Sequence, residues 1–172
     1  MSYASNTPLQ IRFLNQDAGI NHDVVILPKP WGYNTPPKAV LFGAIVKGPA
    51  DITYRSNGFP AGLLFMVCYV HHDTMFGLVG VAPQVSPAIG SPSQRFRITW
   101  ATPANSPANY LWDVQIERPR TTTFVAWRTD LTGFGTDFTP DSGPGIYRFR
   151  VWQHHPPTGV IGYSPASMIN VH

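Results

Sequence analysis

Short apolar runs rich in Val, Ile, Phe and Tyr recur along the chain, separated by Pro and Gly. Runs of this length bounded by turn residues are typical of β-strands. Several segments of the second half, such as RFRITWATP, YLWDVQIERP and GIYRFRVWQ, alternate apolar and polar residues as half-buried antiparallel strands do. The pattern predicts an all-β protein, with strands in the first half at 9–14, 22–27, 40–46, 51–54, 63–70 and 76–81.

Residues 82–93, APQVSPAIGSPS, interrupt this pattern with three prolines and little periodicity. Such a stretch is typical of a linker that runs into the first strand of a second unit. A chain of 172 residues is long enough for one large domain or two small ones. We therefore predict two domains, at 1–82 and 83–172.

Composition agrees with the strand prediction and reduces the number of possible partners and functions. The chain has 18 Pro and 15 Gly, which both disfavour helix interiors. The formal net charge is only +3, and the arginines of the second half alternate with apolar residues as a solvated sheet face would, so nucleic acid is not an expected partner. No apolar run approaches the roughly 20 residues of a membrane span. A single cysteine excludes an internal disulfide.

The segment CYVHHDTM, residues 68–75, places a thiol, an imidazole and a thioether close together. Two His, one Cys and a weak axial Met form the donor set of mononuclear copper electron-transfer sites. So short a loop cannot surround an ion alone, so a second imidazole is expected from another strand, and His22 stands at the start of one. Taken singly, a free Cys, a His doublet or a Met is more often structural.

Two segments resemble the plastocyanin-like cupredoxins. They are IRFLNQDAGINHDVVI around His22 and FPAGLLFMVCYVHHDTMFGLVGV around Cys68. The resemblance implies a cupredoxin-like Greek-key β-barrel over 1–82 that holds one type 1 copper ion. It makes His22 and His71 ligands through ring nitrogens, Cys68 through sulfur, and Met75 the long axial contact. His72 remains a rival to His71.

The implied function is electron transfer or copper carriage outside the cytoplasm, without catalysis, and with an unidentified redox partner protein. Such barrels usually have a strand or two before the one predicted at 9–14. We therefore expect either a trimmed N-terminus or a neighbouring subunit that completes the barrel edge. The opening residues, MSYASNTPLQ, lack the pattern of a signal peptide.

The second half resembles a fibronectin type III domain. Trp100 lies in an early strand, and Tyr147 stands in a Gly-x-Tyr-x-Phe-x-Val strand. The resemblance implies an immunoglobulin-like β-sandwich that serves as a spacer or interaction module, with Tyr147 as its corner tyrosine. His154 and His155 are interpreted as part of an exposed turn, because a doublet on one loop offers no third metal ligand.

Two other functions remain open. A multicopper oxidase or a nitrite-reductase-like enzyme would need further histidines, and the chain has no His-x-His pair. A structural or adhesive two-domain β protein could keep the first fold without copper. Metal analysis would separate this last possibility from an electron carrier.

Overall fold

A computed structural model describes residues 2–28, 40–106, 109–154 and 162–172. Within these ranges the chain forms strands and turns and no α-helix, so the all-β prediction is confirmed. The strands are β1 (Ser2–Ala4), β2 (Leu9–Asn15), β3 (Asn21–His22), β4 (Val25–Leu27), β5 (Leu41–Phe42), β6 (Val46–Lys47), β7 (Ala50–Ser56), β8 (Gly62–Val67), β9 (Phe76–Ala82), β10 (Gln84–Ser86), β11 (Ile89–Gly90), β12 (Phe96–Thr99), β13 (Leu111–Glu117), β14 (Val125–Leu131), β15 (Gly135–Phe138), β16 (Gly145–His154) and β17 (Ser167–Val171).

The first half is built on a five-stranded sheet in the order β1-β9-β8-β4-β5, accompanied by the strand pairs β2-β7 and β3-β6. Its core includes Ile26, Phe59, Leu64 and Val81. Strand β1 pairs in parallel with β9, with Ser2 opposite Gly80. The residues before the strand predicted at 9–14 therefore form an edge strand of this sheet, where the sequence predicted an unfilled edge.

The strand predicted at 40–46 is broken at Gly43 into β5 and β6. A Cβ at Gly43 would lie 2.7 Å from ring atoms of Tyr54 and 2.8 Å from the Val24 carbonyl oxygen, so a side chain does not fit there. The buried Tyr54 donates a hydrogen bond of 2.6 Å to the Ala44 carbonyl. Apolar periodicity carries no information about this close approach.

The second half is a β-sandwich of two sheets, β10-β12-β15 and β11-β17-β16-β13-β14. Strand β16 alternates strictly, with Tyr147, Phe149 and Val151 in the core and Arg148 and Arg150 on the outer face. Because its inward residues repeat with period two, the strand could be predicted from sequence. The β-sandwich prediction for this half is confirmed.

Residues 82–93, predicted as a linker that runs into the first strand of a second unit, do enter that strand, but they also contain strand residues of their own. Strand β9 continues to Ala82, and β10 follows at once and pairs with β12, with Val85 opposite Ile98. Pro83 and Pro87 flank β10, where a missing N–H is tolerated, so prolines in this stretch mark strand ends rather than a free linker.

Contacts join the two halves beyond this direct connection. The Ala61 amide donates a 2.6 Å hydrogen bond to the Trp100 carbonyl, and the Ser5 hydroxyl donates one of 3.1 Å to the Thr99 carbonyl. Ala61 is itself a member of the buried cluster that forms the sandwich core. The boundary between 1–82 and 83–172 stays a prediction.

The Tyr147→Phe variant should lose about 1–3 kcal/mol of unfolding free energy, measured by denaturant titration. The buried Tyr147 hydroxyl accepts a 2.8 Å hydrogen bond from the Ser142 amide and donates one of 2.9 Å to the Gly143 carbonyl. Phenylalanine keeps the ring but removes both bonds. An unchanged unfolding free energy would show that this corner does not stabilise the sandwich.

Candidate metal centre

Three metal-ligating side chains of the first half converge at one end of β8. His22 ends β3, Cys68 follows β8 directly, and His71 lies in the turn between β8 and β9. The Cys68 amide donates a 3.0 Å hydrogen bond to the Met75 carbonyl, which closes this turn. Inside it, the His71 amide donates to the Cys68 carbonyl at 3.2 Å. The hairpin thus brings His71 next to Cys68, and the separate strand β3 supplies His22.

The three ligand atoms lie at the separations expected of donors around one metal ion. Cys68 Sγ is 3.6 Å from His22 Nδ1 and 3.7 Å from His71 Nδ1, and the two Nδ1 atoms are 3.1 Å apart. Donors bonded at about 2.0–2.3 Å, with angles of about 100° to 130°, lie roughly 3.1–3.9 Å apart. These distances therefore fit a single shared ion, and sulfur with two imidazoles is a set that suits copper.

Asp17 fixes the orientation of the His22 ring. His22 Nε2 lies 2.9 Å from Asp17 Oδ2, so the ring donates from Nε2 and leaves the Nδ1 lone pair for a metal. Buried Asn15 organises the same loop, because its Nδ2 group donates to the carbonyls of Ile20 and Val46 at 2.9 and 3.0 Å. Sequence reasoning missed Asp17, since an acidic residue five positions before His22 gives no sign of which atom it faces.

Asp23 ties the His22 strand to the ligand turn. Its carboxylate is buried and accepts a 2.6 Å hydrogen bond from the Tyr69 amide, the residue after Cys68. Burial raises the pKa of the nearby Tyr54 hydroxyl, with smaller contributions from Asp23 and Cys68. Tyr54 is therefore held as a neutral hydrogen-bond donor behind the site.

Two of the three donors of the candidate centre are shielded from solvent, and the third is partly exposed. His22 is 5% exposed and Cys68 3%, whereas His71 is only partly buried. Four apolar residues flank the donors of the hairpin in sequence, namely Phe65, Val67, Val70 and Phe76. Val67 is buried, but Val70 and Phe76 are 41% and 67% exposed, so two of the four lie on the surface.

Met75 closes the ligand turn, because its carbonyl accepts the hydrogen bond from the Cys68 amide. Its side chain is 42% exposed and, together with Cys68, lines a cavity of about 410 Å³ between the hairpin and β2. Within the described residues, His22, Cys68 and His71 form the cluster of histidine, cysteine and acidic ligand atoms of this half. The rival His72 has its Nδ1 3.1 Å from the Tyr69 carbonyl oxygen and its Nε2 3.4 Å from Asp73.

No family model matches the chain, and no curated protein matches it. The solved structures to which it is similar include the FN1–FN3 domains of chicken CNTN1, with 12% identity over 99% of this chain and 64% of that one, at a TM-score of 0.40. Titin domains match with 12% identity over 98% and 59%, at a TM-score of 0.33. An intimin domain matches with 12% identity over 99% and 94%, at a TM-score of 0.28.

The chain spans less than two thirds of the length of the first two matched structures.

The prediction that residues 1–82 form a cupredoxin domain is wrong, because none of these matched structures is a cupredoxin and no family model supports one. The physical reason is that a Cys, two His and a hairpin form a local arrangement that different β folds can carry, so a donor set does not identify a family.

Within the part of the chain that the structure describes, no helix has the length and hydropathy needed to cross a bilayer.

The Asp17→Asn variant should bind metal at this centre about 10–100-fold more weakly, as expected when the carboxylate behind a histidine ligand is lost. Competition titration against a chromophoric copper chelator measures the change. Asp73→Asn is the matched control, since Asp73 lies in the ligand turn but contacts His72 rather than the cluster. Equal affinities of the two variants would contradict a positioning role for Asp17.

Proposed function

We propose that the chain binds one copper ion through His22 Nδ1, Cys68 Sγ and His71 Nδ1, with Met75 as a weak axial contact, and that it carries electrons or copper. The convergence of three donors within 3.1–3.7 Å of one another is the observation that supports the proposal. Bound copper would supply one-electron exchange between its two oxidation states. No catalytic role is proposed for the chain.

The surrounding residues suit such a role because they hold the donors in place before an ion arrives. Asp17 sets the tautomer of His22, and the bond from the Tyr69 amide to Asp23 fixes the ligand turn against β3. A rigid donor set changes little between oxidation states, which favours rapid electron exchange. Hydrogen bonding and solvent exclusion around the sulfur tune the potential.

The open side of the centre offers a surface to a redox partner protein. Val70 and Met75 in the ligand turn are 41% and 42% exposed, and Phe76, directly after it, is 67% exposed. Apolar side chains grouped at an exposed site are typical of protein contacts. We propose that a partner protein contacts these exposed side chains next to His71. We also propose that the chain acts outside the cytoplasm, and fractionation of the native host tests this location.

Copper loading tests the proposal. The purified chain with one equivalent of Cu(II) should retain one copper per molecule after desalting and show the intense visible thiolate-to-copper band. The Zn(II)-loaded chain is the colourless control. A copper-loaded product without the band would refute coordination by Cys68, and an absence of tight copper binding would refute the function.

The second candidate is a structural or adhesive β module without copper. The continuity between the halves supports it, because Ala61 of the first half is buried in the sandwich core of the second. Two halves joined in this way suit a spacer, which holds neighbouring parts at a fixed distance and transfers no electrons. Failure to retain copper in the loading experiment, with the fold intact by circular dichroism, would favour this candidate.

A further inference from the structure

A second group of metal-ligating side chains lies on the outer face of the five-stranded sheet of the sandwich. Asp113 in β13, Asp130 in β14 and His154 in β16 bring one ligand atom each to within 4.8 Å of one another. Sequence reasoning dismissed His154 because a histidine doublet on one loop offers no third ligand. The structure places His154 in a strand instead, and neighbouring strands supply two carboxylates.

Strand register explains how these residues meet. Asp113 is paired with Trp152 across the ladder, so His154, two residues further along β16, shares its face of the sheet. On the other side, a bulge between β13 and β14 sets two residues of β14 opposite Asp113, since Trp112 pairs with Leu131 and Val114 with Arg128. The bulge turns Asp130 toward Asp113, whose carboxylate accepts a 2.8 Å hydrogen bond from the Asp130 amide.

The distances suit ligands of one metal ion as well as weak polar contacts. His154 Nε2 makes a long hydrogen bond of 3.4 Å with Asp113 Oδ1 and lies 3.8 Å from Asp130 Oδ1. Both distances exceed the usual 2.7–3.2 Å or so of an N–H···O hydrogen bond. They fall within the roughly 3.1–3.9 Å that separates two donors bonded to one metal ion.

The ring of His154 is held in place by packing. It stacks on Trp152 with centroids 4.5 Å apart and an interplanar angle of 27°. The side chains of His154 and Asp113 are only 12% and 17% exposed, whereas Asp130 is 72% exposed. Among the described residues, no lysine or arginine pairs with either carboxylate, so the negative charge of the group is not neutralised by a fixed cation.

We propose that Asp113, Asp130 and His154 form a second metal site, which takes Zn²⁺ through one imidazole nitrogen and two carboxylate oxygens. Imidazole favours zinc over calcium and magnesium, which prefer oxygen ligands alone. Three protein ligands leave a coordination position open on the exposed side of Asp130. The site is separate from the copper centre, and the bound ion would tie the bulged strand β14 to β13 and β16.

The experiment uses the full chain carrying Cys68→Ala and His71→Ala, so that the first centre does not compete for zinc. Isothermal titration with Zn²⁺ should give one ion per chain, and Ca²⁺ should bind at least about 10-fold more weakly. Asp130→Asn should weaken zinc binding at least about 10-fold, since even outer-shell losses reach that size. Asparagine tolerates the left-handed backbone at this position, where φ is 52°, so the fold should be retained.

Two further variants complete the test. His154→Gln should weaken zinc binding as Asp130→Asn does, and Asp137→Asn, which removes an exposed carboxylate of the same sandwich paired with Arg97, should leave it unchanged. Zinc should also raise the melting temperature of the starting chain but not that of Asp130→Asn. Zinc affinity that is unaffected by both Asp130→Asn and His154→Gln, or equal affinities for zinc and calcium, would overturn the site.

Discussion

The Cys68→Ala variant is expected to lose the visible thiolate-to-copper band completely and to bind copper at least about 100-fold more weakly than the unaltered chain. The thiolate is the only sulfur donor among the three converging ligand atoms, and it lies 3.6 and 3.7 Å from the two imidazole nitrogens. Loss of an outer-shell partner alone costs up to about 100-fold in affinity, so loss of a ligand should cost at least as much. Optical titration and competition with a chelator measure both effects.

Histidine variants provide matched controls for this result. His71→Ala should also abolish the band, because His71 Nδ1 is a member of the cluster. His72→Ala should leave band and affinity unchanged, since the His72 ring lies against the Tyr69 carbonyl and Asp73. A band that survives Cys68→Ala, or that disappears in His72→Ala, would show that the ligands are assigned wrongly.

The sequence could suggest the candidate donors because three of them are close in the chain and differ chemically from their neighbours. Cys68, His71 and Met75 fall within one hairpin, whose turn is set by local hydrogen bonds. His22 could be chosen because few histidines compete with it in the first half. Met75 shows the limit of reasoning from spacing. Its distance from His71 along the chain suggests an axial ligand, but its exposure of 42% depends on how the turn closes, which spacing does not predict.

The same reasoning failed where long-range register decides the outcome. Asp113, Asp130 and His154 are far apart in sequence. The register of β13 and β16 places His154 beside Asp113, and a bulge between β13 and β14 brings in Asp130. A bulge leaves little trace in the alternation of apolar and polar residues, because it moves one residue without changing the core face around it. The break at Gly43 has a similar origin, since it depends on the ring of Tyr54 eleven residues later.

The family identification failed for a different reason. Local motifs around His22 and Cys68 describe how candidate donors are placed along the chain, and such motifs do not identify the family of a protein. The alternation in β16, by contrast, spans ten residues and fixes which side faces the core. Strand periodicity therefore predicted the sandwich of the second half more securely than the motifs predicted the family of the first.

The Phe149→Ala variant is expected to lower the free energy of unfolding by about 3–5 kcal/mol, the usual cost of removing a large aromatic side chain from a packed core. Phe149 is fully buried and contacts the rings of Phe138 and Trp127, with centroids 5.1 and 5.5 Å away. Urea titration followed by tryptophan fluorescence measures the loss. Ile146→Ala is a matched control, because Ile146 lies on the same strand but is 41% exposed. This variant should lower the free energy of unfolding far less.

The same variant tests whether residues 1–82 and 83–172 unfold independently. Ala61 is buried in the sandwich core and its amide bonds to the Trp100 carbonyl, so loss of that core also removes support from the start of β8. Hydrogen exchange should therefore accelerate in β8 and β9 as well as in β13 and β16, with one common unfolding transition. Acceleration confined to β13 and β16 would show that the two halves are energetically independent and that the contacts between them stabilise neither.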